Sequence, residues 1–372
     1  MAGVFALSIL LAPLAAGAVP DEPEPASPDA AAPASPDAAT PAPAGPDAAA
    51  AESAGPESAG ADAAGREAAA RVEAQRRAME AYFRDDPFSP LRAFARFDFP
   101  LGAGASAVIG SGEEADVRLR PGDAAPRLAR VTVLEPQAPG GPHRFLWESL
   151  GPGGALVVNG APLGAAGEPQ GSRAVPEESR VEIGPYAIRP YVQAGAGILI
   201  LFDSRLTAEG RFAPPRHFPY DPTFRFEAAL QRFDEPETIA LPTTLERTKE
   251  YRRVGYFDLS IGGERLRVNT YQPLFVPGAG EALTILFSDR TSGGETYGSG
   301  RYIDLDPPSG GLYTIDFNRA YNPYCNYTDV YNCPVPPGEN RLPVAVRAGE
   351  MVWRPPAAAP AAAPPPAGEA TD

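Results

Sequence analysis
Between Phe97 and Ala348 no apolar stretch runs far before a glycine or proline interrupts it, and this punctuation limits the fold more than any other feature. Helices need longer uninterrupted periodic segments, whereas short apolar or alternating runs bounded by turn residues make strands. One set of such runs lies at residues 107–109, 117–119, 129–134, 145–148, 156–158, 181–183, 187–191 and 198–202. A second lies at 224–230, 250–259, 264–271, 283–288, 312–317 and 344–348. The expected fold is mainly β: a β-sandwich over 97–203, then a second β-rich domain, sandwich or barrel-like, over 212–353.

The ends of the chain do not fit that pattern. Residues 19–65 are almost wholly Ala, Pro, Asp, Glu, Ser and Gly, with no aromatic side chain. Without apolar surface to bury, such a segment is expected to be a disordered Ala/Pro/Asp linker, reaching up to about 140 Å if extended. The Pro/Ala tail, 354–372, reads the same way. The linker holds nine acids of a chain with net charge −15, which leaves −6 for the rest. That acidity therefore says little about partners of the folded part, and the lack of a basic stripe argues against nucleic acid. One helix is expected over 66–86, with Val72, Met79 and Phe83 on one face and Pro87 as its stop.

Residues 1–18 are uncharged and largely apolar, and Ala16-Gly17-Ala18 has the small-x-small form of a cleavage site. They read as a signal peptide or, at near-minimal length, a membrane anchor. Either makes the protein exported: periplasmic, envelope-tethered or secreted, with the linker as a membrane or cell-wall tether. A single lysine, Lys249, stands against 31 arginines, the usage of a GC-rich, bacterial-type genome. Drift in such a genome accounts equally well for the linker.

The densest chemistry lies at 289–350, where Asp, Asn, Arg, Tyr and Gly gather with the two cysteines of the chain, Cys325 and Cys333. In an exported protein this pair is expected to form a disulfide, worth about 2.5 kcal/mol by loop entropy. Neither histidine, His143 or His217, is near them, so zinc is not expected, nor is any other metal or cofactor. No histidine lies within 289–350 to activate a nucleophile, and no P-loop or dinucleotide fingerprint occurs. Polar groups at strand ends suit recognition of a small polar, carboxylate-bearing or carbohydrate-like ligand. The candidate ligand-binding residues are Asp289, Thr296, Tyr297, Arg301, Asp316, Asn318, Tyr321, Asn322, Asn340 and Arg341. Two alternatives remain. Asp316 and Glu339 as general acid and base would make a carboxylate-based hydrolase. The same groups bridging one another would make a cross-linked structural or envelope interaction module.

Ile109-Gly110, Asp116-Val117-Arg118-Leu119, Ala129-Arg130-Val131, Val157-Val158-Asn159-Gly160 and Val181-Glu182-Ile183-Gly184 occur in an order that resembles forkhead-associated (FHA) domains. The resemblance implies a sandwich, with Asn159-Gly160 as a hairpin turn. It also implies a phosphothreonine site, but Ser111, Ala125, Leu128 and Gly154 stand where its arginine, serine, histidine and asparagine belong. Phosphopeptide binding is therefore not expected.

His217-Phe218-Pro219-Tyr220-Asp221-Pro222, Phe287-Ser288-Asp289-Arg290-Thr291-Ser292-Gly293-Gly294-Glu295-Thr296-Tyr297, Gly300-Arg301-Tyr302, Asp316-Phe317-Asn318-Arg319-Ala320-Tyr321-Asn322-Pro323, Glu339-Asn340-Arg341-Leu342 and Ala348-Gly349-Glu350 carry a resemblance, spanning Ser89 to Glu350, to domain-of-unknown-function family 1684, which implies that the FHA-like sandwich ahead of these motifs is a family feature. That family is mainly prokaryotic, and the resemblance implies no mechanism.

Overall fold
A computed structural model describes residues 56–356 apart from 103, 138–140, 152–153, 165–170, 178, 194 and 276–281. The segment read as leader or anchor (1–18), most of the stretch read as linker, and the tail from 357 lie outside the described residues. Helix α1 spans Pro56–Asp85, so it takes in the end of that linker stretch, where alanine dominates. Val72 and Phe83 are buried and Met79 half-buried, as the apolar stripe implied. No helix among the described residues is long and apolar enough to cross a membrane.

The chain is mainly β. The first eleven strands are β1 (Ala93–Pro100), β2 (Ser106–Gly110), β3 (Val117–Arg118), β4 (Ala129–Leu134), β5 (Arg144–Ser149), β6 (Val157–Val158), β7 (Ala161–Pro162), β8 (Ser172–Pro176), β9 (Val181–Ile183), β10 (Tyr186–Gln193) and β11 (Ala196–Asp203). They make a six-stranded sheet, β1-β11-β10-β9-β6-β7, and a five-stranded sheet, β3-β2-β4-β5-β8. Their facing side chains, Trp147 and Phe145 among the largest, share one core with Ile188, Leu199 and Leu201. The β6–β7 turn holds Asn159 at φ 50° and Gly160 at φ 77°, the left-handed pair a two-residue hairpin needs.

Seven strands follow: β12 (Arg225–Ala228), β13 (Gln231–Pro242), β14 (Thr248–Ile261), β15 (Glu264–Pro273), β16 (Leu283–Phe287), β17 (Arg301–Leu305) and β18 (Tyr313–Asp316). β13 to β17 form an antiparallel sheet in chain order, and β12 pairs with β18 beside it. Phe257, Ile285, Phe287, Ile303, Ile315 and Phe317 lie at its core.

The run at β11 is apolar throughout because both its faces are covered. Leu199 and Leu201 point into the sandwich, while Ile198, Ile200 and Phe202 pack against Val330, Tyr331 and Cys333. That second contact joins the six-stranded sheet to the polar segment of the C-terminal unit.

Two sequence expectations are corrected. Residues 344–348 alternate like a strand yet have no strand partner. Strands β1, β7, β8, β13 and β17 lay outside the expected runs, and β17 falls inside the dense polar stretch 289–350. β13 escaped because it is an exposed edge carrying Pro236 at a bulge between Arg232 and Glu237.

Candidate functional site
Arg301, the first residue of β17, is 0 % exposed and organises the polar run. Its Nη2 donates to Asp289 Oδ2 (2.8 Å) and to the Val346 carbonyl (2.8 Å), and Nη1 donates to the carbonyls of Ala348 and Glu350. Three alternate carbonyls of an extended segment thus find a guanidinium where a strand would find a neighbour. This explains the unpaired alternation at 344–348. The guanidinium carbon also lies 5.1 Å from the Phe287 ring centre. Asp289 Oδ1 is held in turn by the N–H (2.7 Å) and hydroxyl (2.6 Å) of Thr291, whose hydroxyl lies 2.8 Å from that of Thr296. Gly300, at φ 92°, permits the approach: a Cβ there would stand 2.4 Å from the Phe287 carbonyl oxygen.

The other candidates are largely occupied by the chain itself. Asp316 Oδ1 caps a single turn by accepting from the Asn318 N–H (2.9 Å). Asn318 brackets the backbone of Asp221, accepting its N–H at 2.9 Å and donating to its carbonyl at 2.8 Å. Asn340 accepts from the Asn269 N–H (2.9 Å) and donates to the carbonyls of Asn269 (2.9 Å) and Leu286 (2.8 Å). Asn322 donates to the Met351 carbonyl (2.8 Å), and the Tyr297 hydroxyl to the Cys325 carbonyl (3.3 Å). Arg341 is exposed. Cys325 and Cys333 are paired at disulfide distance, with Cα atoms 6.3 Å apart. Neither Arg301 nor Arg319 forms an ion pair with Asp316 or Glu339. Arg319 pairs with Asp306 (2.5 Å), and Glu339 accepts from Tyr271 (2.7 Å) and Arg253 (3.1 Å). Asp316 and Glu339 therefore serve separate clusters.

Two candidates, Asn318 and Tyr321, do border open space. Between α1 and the C-terminal unit lies a cavity of about 30 Å³, lined also by Arg76, His217, Arg319 and Glu350. That volume holds about two water molecules. His217 and Glu350 are brought together by an antiparallel bridge, flanked by bonds from the Phe218 N–H to the Gly349 carbonyl (2.9 Å) and from the Met351 N–H to the Arg216 carbonyl (2.8 Å). Gly349 (φ 77°) is required next to Glu350, since a Cβ would meet the Phe317 and Ala320 carbonyls at 2.7 and 2.6 Å.

Glu350 is 3 % exposed; its Oε2 accepts from the Asn322 N–H (2.8 Å) and its Oε1 from the Tyr327 hydroxyl. Burial pushes its carboxyl up to about 8, with Asn322 and Arg301 opposing. Burial and the Arg76 charge pull His217 down to about 4. Near neutral pH the cavity thus holds a protonated acid, an uncharged imidazole and two guanidinium groups, of which that of Arg319 is paired with Asp306. Arg76 donates to Glu73 (2.8 Å) and to the Asn318 carbonyl (3.3 Å), but its buried Nε has no acceptor.

Sequence reasoning missed Arg76 and gave His217 and Glu350 no binding role. Arg76 reads as one charge among many on a helix, and its inward turn is a tertiary event. His217 and Glu350 each sit in a quoted family motif, but their juxtaposition depends on a bridge between distant segments.

Residues 211–351 match the family described as "Protein of unknown function (DUF1684)". No curated protein matches the chain. Among solved structures, the solution NMR structure of an uncharacterized protein from Haloarcula marismortui is 35 % identical, over 38 % of this chain and 77 % of that one, with a TM-score of 0.32. The match is to the C-terminal unit, residues 211–351, and does not take in the sandwich that the resemblance also spanned.

Proposed function
We propose that this is an exported binding protein whose C-terminal unit takes a small polar ligand carrying a carboxylate, seated in the cavity beneath α1. The observation that carries this reading is the convergence of Arg76, His217, Asn318, Tyr321 and Glu350 on one space, with the Arg76 Nε–H left without an acceptor. A buried donor without a partner is costly, and a carboxylate satisfies it. The protonated Glu350 supplies a second donor where an ionised acid would repel the guest. The cavity admits a group of only a few atoms, so either the ligand is small or its end alone enters.

Residues 1–18 serve in this proposal as signal peptide or anchor and 19–65 as tether, in a bacterial-type cell envelope. The paired cysteines are compatible with that setting. The sandwich takes the FHA-like role of a packing or protein-contact module. Supporting this, the Ser111 hydroxyl is spent on the Ala124 carbonyl (2.6 Å) and Leu128 is buried.

The chain has two histidines, which makes the test specific. Acetate titrated into the full chain should shift the imidazole NMR signals of His217 and leave those of His143 in place, and Arg76→Gln should abolish the shift. Identical responses of both histidines, or none, would refute the site.

One observation favours a hydrolytic second reading. Glu350 and His217 face one cavity with their proton affinities driven apart, the arrangement of a general acid and a general base. Turnover of chromogenic esters or glycosides that is lost in both Glu350→Gln and His217→Asn would support it; no turnover across such a panel removes it.

A further inference from the structure
A second buried arginine lies where the sandwich meets the C-terminal unit, and no carboxylate among the described residues is its counter-charge. Arg189 is the fourth residue of β10, opposite Ile200 of β11, on the sheet face that packs against Val330, Tyr331 and Cys333. It is 5 % exposed. Its Nε and Nη1 are buried and reach no acceptor, and no carboxylate among the described residues pairs with it. Its guanidinium carbon lies 4.7 Å from the centre of the Phe88 ring. The nearby acid Asp86 is already taken, by Arg180 (3.4 Å) and by the Phe88 N–H (2.8 Å).

Beside Arg189 is a second unsatisfied donor. Tyr331 is 4 % exposed, and its buried hydroxyl has no partner. Its ring stacks at a tilt on Tyr324, with centres 5.0 Å apart, and its phenol, raised by burial, responds in the opposite sense to the Arg189 charge. The Tyr82 phenol, also raised chiefly by burial, responds to Arg189 in the same sense, though its hydroxyl is spent on the Phe88 carbonyl (2.8 Å).

The chemistry of the place is therefore one-sided: three N–H bonds on Arg189 and one O–H on Tyr331, with no acceptor. A buried ion left in this way is destabilising by several kcal/mol unless something supplies the opposite charge. A guest that only accepts hydrogen bonds, carries negative charge and is compact enough for a closed seam meets every requirement. A planar guanidinium further favours oxygen acceptors over a spherical ion. We infer that Arg189 and Tyr331 form an oxyanion site at the seam, which takes a phosphate ion or a carboxylate group and thereby locks the sandwich onto the C-terminal unit. This site shares no residue with the cavity beneath α1, and its success or failure is independent of that proposal.

The experiment is thermal unfolding of the full chain in rising inorganic phosphate, and separately formate, with ionic strength held constant by sodium chloride. The wild type should show a saturable rise in its unfolding midpoint, about 5 °C at roughly a hundredfold excess over half-saturation, with one of the two anions. Phosphate alone acting identifies the phosphate form of the guest, and formate acting identifies the carboxylate form. Arg189→Met, which removes the charge but keeps the bulk, should start from an equal or higher midpoint and show no response. Tyr331→Phe keeps the ring and folds independently of the fate of Arg189→Met; it should need about tenfold more anion for the same effect. Equal responses in wild type and both variants, or no response in the wild type to either anion, would overturn the inference.

Discussion

Arg301 and Arg189 are both buried, yet the molecule treats them in opposite ways. Arg301 meets Asp289 and three carbonyls of one extended segment, so its charge is answered by groups close to it in the fold. Arg189 meets an aromatic ring and leaves two of its nitrogens unanswered. The difference separates construction from reception. Where a buried charge is answered by its own chain it builds the fold, even with one N–H left over as at the Arg301 Nε, and where the charge itself is left unanswered there is capacity for a guest. Within 289–350, Asp289 and Asn340 are consumed internally, while the cavity beneath α1 retains the free Arg76 Nε.

The sharpest way to break this contrast is to unpair Arg301. Asp289→Ala leaves its charge buried without an anion and should cost about 3–5 kcal/mol in urea unfolding. A loss below about 1 kcal/mol would mean that the carbonyls alone suffice. Asn340→Ala comes next. It strands an N–H and two carbonyls in the interior and should cost about 3 kcal/mol by the same assay.

A third test uses pH. Glu350 ionises near 4.5 in the unfolded chain and near 8 when folded, so between these values the folded state holds the extra proton and stability falls as pH rises. His217 runs the other way, from 6.5 unfolded to about 4 folded, and adds stability between pH 4 and 6.5 as pH rises. Asp304, raised to about 7 by burial, reinforces the fall only up to that pH. From pH 6.5 to 8 the Glu350 contribution therefore stands almost alone, a decline of about 2 kcal/mol. Glu350→Gln should flatten it, and a slope that survives the substitution would show that Glu350 is already ionised at neutrality. The smallest effect belongs to Arg189→Met, which without added anion should leave stability unchanged or raise it by about 1 kcal/mol.

Much of the fold was legible because burial writes directly into alternation. The runs at 129–134 and 181–183 coincide with β4 and β9, and the Asn159-Gly160 turn with its hairpin. Residues 344–348 show the limit of that rule. Val344, Val346 and Ala348 are buried in alternation as in a strand, but the opposing carbonyls go to a side chain, and alternation cannot tell a guanidinium from a neighbouring strand. β17 was hidden for the converse reason, since its first residue is an arginine and a strand is not expected to open on a buried charge. The candidate site was legible in composition but not in function. The dense polar run was found, and two of the candidate residues in it, Asn318 and Tyr321, line the cavity. Whether a polar residue is spent or left over depends on partners contributed by α1 and by the sandwich, and no local pattern encodes them.

The most direct measurement is the unfolding free energy of two matched variants, Arg301→Met and Arg189→Met, in one denaturant series at pH 7 without phosphate or carboxylate buffer. The account expects opposite behaviour: a loss of about 3–5 kcal/mol for Arg301→Met, which strands Asp289, and no loss for Arg189→Met. Comparable losses in both would contradict it, because Arg189 would then be as fully built into the fold as Arg301.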